Sequence, residues 1–195
     1  MTDGQGEDGY TPGWLRAAHW GAEGLRGLPP TDTAEVAAWP APVRRALEVA
    51  HRYGLPTEAD HCWPGTADHP PFSRVDDRFW RLAVDEALHT PEFVLDGHGR
   101  VWALAPGVDP AERFVNSSLL AYLDALAAWE HRCEHLDDFD DLEPDDPDSD
   151  DDPAGEARVA FGLAVRDRLR ELDPPAFDPD TWWDRVDEEV EFDAI

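Results

Sequence analysis

The chain of 195 residues contains no lysine, so arginine supplies all 16 of its basic residues. Its wealth of alanine, arginine, aspartate, glycine and proline is typical of a GC-rich genome, in which codon bias replaces lysine with arginine. Codon bias does not explain the 44 acidic residues, which give a formal net charge of −28. Binding to nucleic acid or to an anionic membrane requires clustered cations that neutralise phosphates, so this composition argues against both. It favours a basic protein partner, attracted by long-range electrostatic steering.

Cysteines and long apolar runs are also scarce. The two cysteines, Cys62 and Cys133, are too few for a disulfide framework. No run of 18 apolar residues exists, which argues against a membrane-spanning helix. The start of the chain is acidic and glycine-rich, whereas a signal peptide is basic and then apolar. These features together predict a cytoplasmic protein.

The length and hydrophobic content predict one globular unit. A chain of this size, with 42% hydrophobic residues, can bury one sizeable core. We therefore expect a disordered tail over residues 1–12 and a single domain over residues 13–195. Within that domain, residues 137–152 carry eleven acidic positions in sixteen and two prolines. Like-charge repulsion predicts that this segment, called the acidic run below, is an extended and mobile insertion.

Signatures of catalysis are missing from the sequence. It has no Gly-x-Ser-x-Gly nucleophile elbow. Gly97 and Gly99 lie in a glycine-x-glycine turn that could approach a phosphate, but a strand follows them where a phosphate loop needs a helix. Pairs of carboxylates occur throughout so acidic a chain, so finding one does not indicate glycosidase-type catalysis. The sequence therefore predicts a protein that is not an enzyme and that uses no cofactor.

The sequence contains two weak metal-binding patterns. His131 and His135 lie four residues apart, so they share a helix face and could chelate a divalent ion with a further ligand such as Cys62. The alternative is a pair of histidines near the negative end of a helix dipole. A calcium loop starting at Asp148 would place Pro153 where a glycine is needed. The sequence therefore predicts no metal site.

Residues 92–130 carry the strongest structural pattern. Phe93–Leu95 and Val101–Leu104 predict two strands of a hairpin, since β-branched and aromatic residues favour pleated surfaces. The turn between them contains Gly97 and Gly99, both expected to supply positive φ angles. A helix over residues 117–136 follows, with Asn116 or Ser117 expected as its N-cap.

Apolar spacing predicts the remaining elements. Three ranges are expected to form a helix, a strand and a helix in that order: residues 41–53, 79–84 and 155–172. A short final helix is predicted with Asp178 as its cap and Pro179 at its first position. Trp182 and Trp183 are adjacent in that helix, and a core or packing role is favoured over a contact role.

Five segments of this sequence resemble the SUKH superfamily, most closely its fourth subfamily of bacterial immunity proteins. They are Tyr53-Gly54-Leu55-Pro56, the strand end Asp96-Gly97-His98-Gly99-Arg100, the strand Val101–Leu104, Phe114-Val115-Asn116-Ser117-Ser118-Leu119, and Thr181-Trp182-Trp183-Asp184-Arg185-Val186. The resemblance covers about residues 35–133, and more weakly residues 180–195. None of these motifs is catalytic, and the acidic run departs from the subfamily pattern.

The resemblance implies an α+β fold: an antiparallel or mixed sheet of four to six strands flanked by helices. The acidic run, which its charge predicts to be extended, would add a loop before the C-terminal helices. It also implies that the protein binds and neutralises a toxin, by steric occlusion assisted by charge. The partner would be a basic toxin such as a nuclease. Seven aspartates of the acidic run are the expected steering contacts: Asp137, Asp138, Asp140, Asp141, Asp145, Asp146 and Asp148. The alternative is a cytoplasmic adaptor that docks a protein other than a toxin.

Overall fold

The computed structural model describes the chain in eight parts: residue 20 and residues 24–28, 33–57, 63–64, 70–84, 91–135, 137–139 and 152–191. Its helices are α1 Ala34–Ala37, α2 Ala41–Tyr53, α3 Leu119–Glu134, α4 Pro153–Leu172 and α5 Trp182–Glu191. Its strands are β1 Leu25–Arg26, β2 Leu55–Pro56, β3 Trp63–Pro64, β4 Phe79–Val84, β5 Glu92–Asp96, β6 Val101–Leu104 and β7 Glu112–Asn116. Two short 3-10 turns span Asp137–Phe139 and Pro174–Phe177. The expected tail, residues 1–12, lies outside the described residues and stays a prediction.

The strands form two antiparallel sheets. The main sheet has the order β3-β4-β5-β6-β7, and each strand pairs with its sequence neighbour. Strands β1 and β2 form a separate two-stranded sheet. Helices accompany both, so the α+β fold with a sheet of four to six strands is confirmed. None of the described helices is long and apolar enough to cross a bilayer.

The β5–β6 hairpin forms where the sequence predicted it, but only one glycine of its turn has a positive φ. Gly99 has a φ of 79°, and a Cβ there would lie 3.1 Å from the Pro42 Cβ. Gly97 is not in the left-handed region, so the expectation for that residue was wrong. The turn needs a single left-handed residue because the Asp96 side chain holds its other backbone N–H groups.

Helix α3 begins two residues later than predicted and has a different cap. The Ser118 side chain accepts a hydrogen bond from the Ala121 backbone N–H, at 3.2 Å. The expectation of Asn116 or Ser117 as the cap was therefore wrong. Residues 112–116 continue the sheet as strand β7, which was not among the predicted strands. Extending the strand moves the start of the helix to Leu119.

The two C-terminal helices also differ at their starts. Helix α4 begins at Pro153, with the Asp152 side chain as its cap, and ends at the predicted Leu172. Helix α5 begins at Trp182, so Asp178 and Pro179 lie in the turn before it and the predicted cap was wrong. The Thr181 hydroxyl accepts the Asp184 backbone N–H at 3.4 Å. Pro174–Phe177 already forms a 3-10 turn, which delays the helix.

Helix α3 lies at the centre of the core. Its residues from Ala121 to Ala128 are buried without interruption, as expected for a helix covered on all sides. The sheet supplies Leu82 and Phe93, and the final helix supplies Trp183. Trp182 packs edge-on against Phe93, with ring centroids 5.3 Å apart. Both adjacent tryptophans therefore serve the core, as the sequence analysis favoured.

Candidate protein-binding surface on the sheet

The main sheet has an inner face towards the helices and an outer face away from them. On β6, Val101 and Ala103 are buried, whereas Trp102 and Leu104, which alternate with them, are half-buried. This alternation places Trp102 on the outer face. Phe114 on β7 lies opposite Trp102, and the two rings meet edge to face with centroids 5.5 Å apart.

A concavity of about 400 Å³ lies at the end of the outer face, beside the β5–β6 turn. Its lining contains aromatic rings and charged groups of both signs. The lining residues come from the loop before α2, from the bend before β4 and its first two residues, from the hairpin and from β7: Pro40, Asp77, Arg78, Phe79, Trp80, Asp96, Gly97, His98, Arg100, Trp102 and Glu112.

Asp96 organises this concavity. Its Oδ1 accepts hydrogen bonds from the backbone N–H groups of His98, at 2.8 Å, and Arg100, at 3.0 Å. Its Oδ2 accepts the Arg100 Nε–H at 2.8 Å and the Trp102 Nε1–H at 3.1 Å. Burial by itself raises the pKa of the Asp96 carboxyl, but these hydrogen bonds outweigh it and lower the pKa below its ordinary value. The carboxylate therefore stays ionised and holds Arg100 and Trp102 in place.

The two arginines of the concavity are oriented but remain accessible. The Arg78 Nη2 lies 2.6 Å from the Glu112 Oε1, and its guanidinium carbon lies 4.5 Å from the centre of the Phe79 ring. The Arg78 side chain is still 60% exposed. The Arg100 guanidinium similarly lies 5.4 Å from the Trp102 ring centre. Arginine and tryptophan supply much of the binding energy in protein interfaces, and this surface presents both in fixed positions.

The predicted steering residues are only partly described. Asp137 and Asp138 belong to the first 3-10 turn, and the Asp138 side chain is exposed. The other five lie outside the described residues: Asp140, Asp141, Asp145, Asp146 and Asp148. Both ends of the acidic run contact α4, since Phe139 packs on Phe161 with centroids 5.7 Å apart and the Asp152 Oδ1 accepts the Gly155 N–H at 2.9 Å. The steering role stays a prediction.

The two histidines of the predicted pair contact each other at the end of α3. The centroids of the His131 and His135 rings lie 4.1 Å apart, and the His135 Nδ1 lies 2.8 Å from the His131 carbonyl oxygen. A carbonyl can only accept, so this contact requires the proton on Nδ1. Within the described part of the chain, no group of three or more His, Cys, Asp or Glu residues could hold a metal ion. Cys62 lies outside that part.

The concavity was not predicted as a site. Its Asp96–Arg100 segment was predicted only as a hairpin turn and as part of the family resemblance, and an aspartate followed by Gly-x-Gly-Arg was the available signal. Arg78 and Glu112 are 34 residues apart, so only the folded sheet brings them together. Aromatic residues and arginine are enriched in protein interfaces, and the concavity contains both.

The family comparison agrees with this description. The family model described as SUKH-4 immunity protein matches residues 15–189, and the chain belongs to that family. The resemblance drawn from the sequence is therefore confirmed. Membership implies a role in toxin immunity in general, with a cognate toxin as the partner. No curated protein and no solved structure matches the chain.

Proposed function

We propose that this protein binds a basic toxin protein in the bacterial cytoplasm and blocks it sterically, without catalysing a reaction. Family membership supports the toxin as the class of partner. The concavity on the outer sheet face is the proposed docking surface, and its organisation around Asp96 is the observation that carries this assignment. Preorganised side chains lose little entropy on binding, which favours tight association.

The charge of the molecule supports a second part of the proposal. A toxin that cleaves nucleic acid must attract phosphates, so its surface is basic around the active site. A protein with a net charge of −28 attracts such a surface over long range, and the aspartates of the acidic run concentrate that charge. We therefore assign steering to the acidic run and docking to the concavity.

Replacing Arg78 tests the docking surface. Arg78→Ala should weaken toxin binding about tenfold or more, because it removes an exposed guanidinium held over Phe79. Its effect on Tm should be small, since an ion pair this exposed to solvent contributes little to stability. Isothermal titration calorimetry with the purified toxin measures the affinity, and differential scanning calorimetry measures Tm.

Arg168→Ala is the matched control. Arg168 is 52% exposed and forms one short ion pair with Glu171, at 2.7 Å, but does not line the concavity. Equal losses of affinity in the two variants would contradict the docking assignment. The toxin itself is identified by affinity capture from the host at two salt concentrations, followed by a growth assay. A captured protein that does not inhibit growth would support the adaptor alternative instead.

A further inference from the structure

A buried arginine on α3 has no counter-charge among the described residues. Arg132 is only 6% exposed, and its Nε has no hydrogen-bond partner within them. No carboxylate of the described residues forms an ion pair with this guanidinium; its neighbour is the Trp129 ring, 5.0 Å from the guanidinium carbon. Arginine cannot lose its proton in a protein. A largely desolvated charge in this position is stabilised by an anion that reaches it.

The structure provides a space for such an anion. A cavity of about 30 Å³ lies between α3, α4 and α5. At roughly 10–15 Å³ for each water, a space of this size holds a group of two or three heavy atoms. Its lining is mainly apolar apart from three charged groups: Ala125, Trp129, Arg132, Gly162, Leu163, Val165, Arg166, Leu169, Phe177, Trp183 and Asp187.

The charged groups of the lining carry an excess of one positive charge. Arg132 and Arg166 are cations, and Asp187 is the single carboxylate among the lining residues. Outside the cavity, the exposed Asp167 Oδ1 also pairs with the Arg166 Nη2, at 3.2 Å. Arg166 and Asp187 are 20% and 23% exposed, so they lie where the cavity meets solvent. Their Nε and Oδ2 atoms are 3.9 Å apart, longer than a hydrogen bond. Arg166 therefore has carboxylate partners, and an anion with one negative charge would pair with the remaining cation, Arg132.

We propose that this cavity is a binding site for a small carboxylate anion. The Arg132 guanidinium donates to it from the interior, and the Arg166 guanidinium, paired with Asp167 and Asp187, lies at the entrance. A planar carboxylate matches the fork of an arginine, which explains why arginine suits this position. A tetrahedral phosphate has more heavy atoms than the cavity can hold. Stacking on Trp129 fixes the plane of the Arg132 guanidinium before the anion arrives.

Formate is the probe for this site. The full-length protein is heated at pH 7 in sodium formate and in sodium chloride of equal ionic strength. A bound carboxylate should raise Tm by about 3–6 °C at a tenfold excess over its dissociation constant. Arg132→Met should show no formate-specific shift. Its Tm in chloride should equal or exceed that of the unchanged protein, because an apolar side chain of similar volume replaces a buried charge.

Two further measurements complete the test. Arg168→Met changes an exposed arginine of α4 and should keep the full formate response. Arg132→Lys keeps the charge without the fork and should bind formate more weakly. In the unchanged protein, the Nε–H proton resonance of Arg132 should move on formate titration and saturate at the same concentration as the Tm response.

Either of two results would overturn the proposal. The first is a formate response that survives in Arg132→Met, which would place the anion elsewhere. The second is an unchanged protein that ignores formate while Arg132→Met loses stability in chloride. That combination would mean that a carboxylate of the chain already neutralises Arg132 in solution.

Discussion

Asp96 shows how one buried carboxylate can organise a surface. It receives two backbone and two side-chain hydrogen bonds, all from the three residues His98, Arg100 and Trp102. Hydrogen bonds to a charged acceptor are stronger than neutral ones, and a buried partner left without its acceptor is costly. The turn conformation and the orientation of the concavity therefore depend on the same side chain.

Asp96→Asn should lower the free energy of unfolding by about 2–3 kcal/mol at pH 7, because an amide offers one acceptor oxygen in place of two ionised ones. Urea unfolding measures the change. Asp77→Asn is the control, since the Asp77 side chain is fully exposed and only reaches Arg74 at 4.0 Å. A comparable loss in the control would show that the hydrogen bonds of Asp96 are not the cause.

The same variant should alter the pH dependence of stability. The folded-state pKa of Asp96 is lowered, so its contribution is fully present above the unfolded value of about 3.9 and is lost as pH falls through the folded value. The stability difference between the unchanged protein and Asp96→Asn should therefore shrink from about pH 4 downwards. A difference that stays constant there would contradict the lowered pKa.

At the scale of elements, a buried polar network joins the sheet to the last two helices. The Asn116 Nδ2–H and the Ser117 backbone N–H both donate to the Asp173 Oδ2, each at 2.9 Å. The Trp183 Nε1–H donates to the Asn116 Oδ1 at 3.0 Å. Two of the segments that resemble the SUKH family, around Asn116 and around Trp183, thus contact each other. The residues in these two segments therefore stabilise the fold.

Asn116→Ala should destabilise the protein by about 2–4 kcal/mol, because it leaves the buried Trp183 N–H and the Asp173 carboxylate short of a partner. Denaturant unfolding followed by tryptophan fluorescence measures this loss. Ser117→Ala is the matched control: its side chain is exposed, and the backbone N–H that bonds Asp173 remains. If Asn116 acted only as a helix cap, the loss would be about 1 kcal/mol.

For the whole molecule, the dominant feature is the net charge of −28. A net charge of this size affects the rate at which two proteins associate more than it affects the strength of the final complex. Because the acidic run contributes eleven negative charges, it is the segment whose neutralisation changes the field most. Docking and steering are therefore separable by kinetics.

Changing the seven predicted aspartates of the acidic run to asparagine should slow association with the toxin about tenfold or more at low salt. The dissociation rate should stay within a factor of about two, since rim charges act mainly on association. Stopped-flow fluorescence at several salt concentrations measures both rates. A chain with the residues of the run reordered but its composition kept should associate at the original rate. An unchanged association rate in the asparagine variant would remove the steering role.

Much of the fold could be predicted because its signals are local. Helix α2, strand β4 and the β5–β6 hairpin follow from apolar spacing and turn residues within short windows. Strand β7 was missed since its five residues, two of them charged, carry little periodicity and become a strand by pairing with β6. The caps of α3 and α5 were misplaced for a related reason. Asn116 is the last residue of strand β7, and Asp178 lies in the turn before α5, so neither is the N-cap of a helix.

The sequence by itself determined the fold class, the family resemblance and the strong negative charge, because each depends on composition or on residues close together in the chain. Only the tertiary structure decided where the charged groups meet. Arg78 reaches Glu112 across 34 residues, and Asn116 reaches Trp183 across 67. Arg132 became a candidate site only when three helices enclosed it. Burial and pairing of a charge depend on contacts distant in sequence, and no local pattern encodes them.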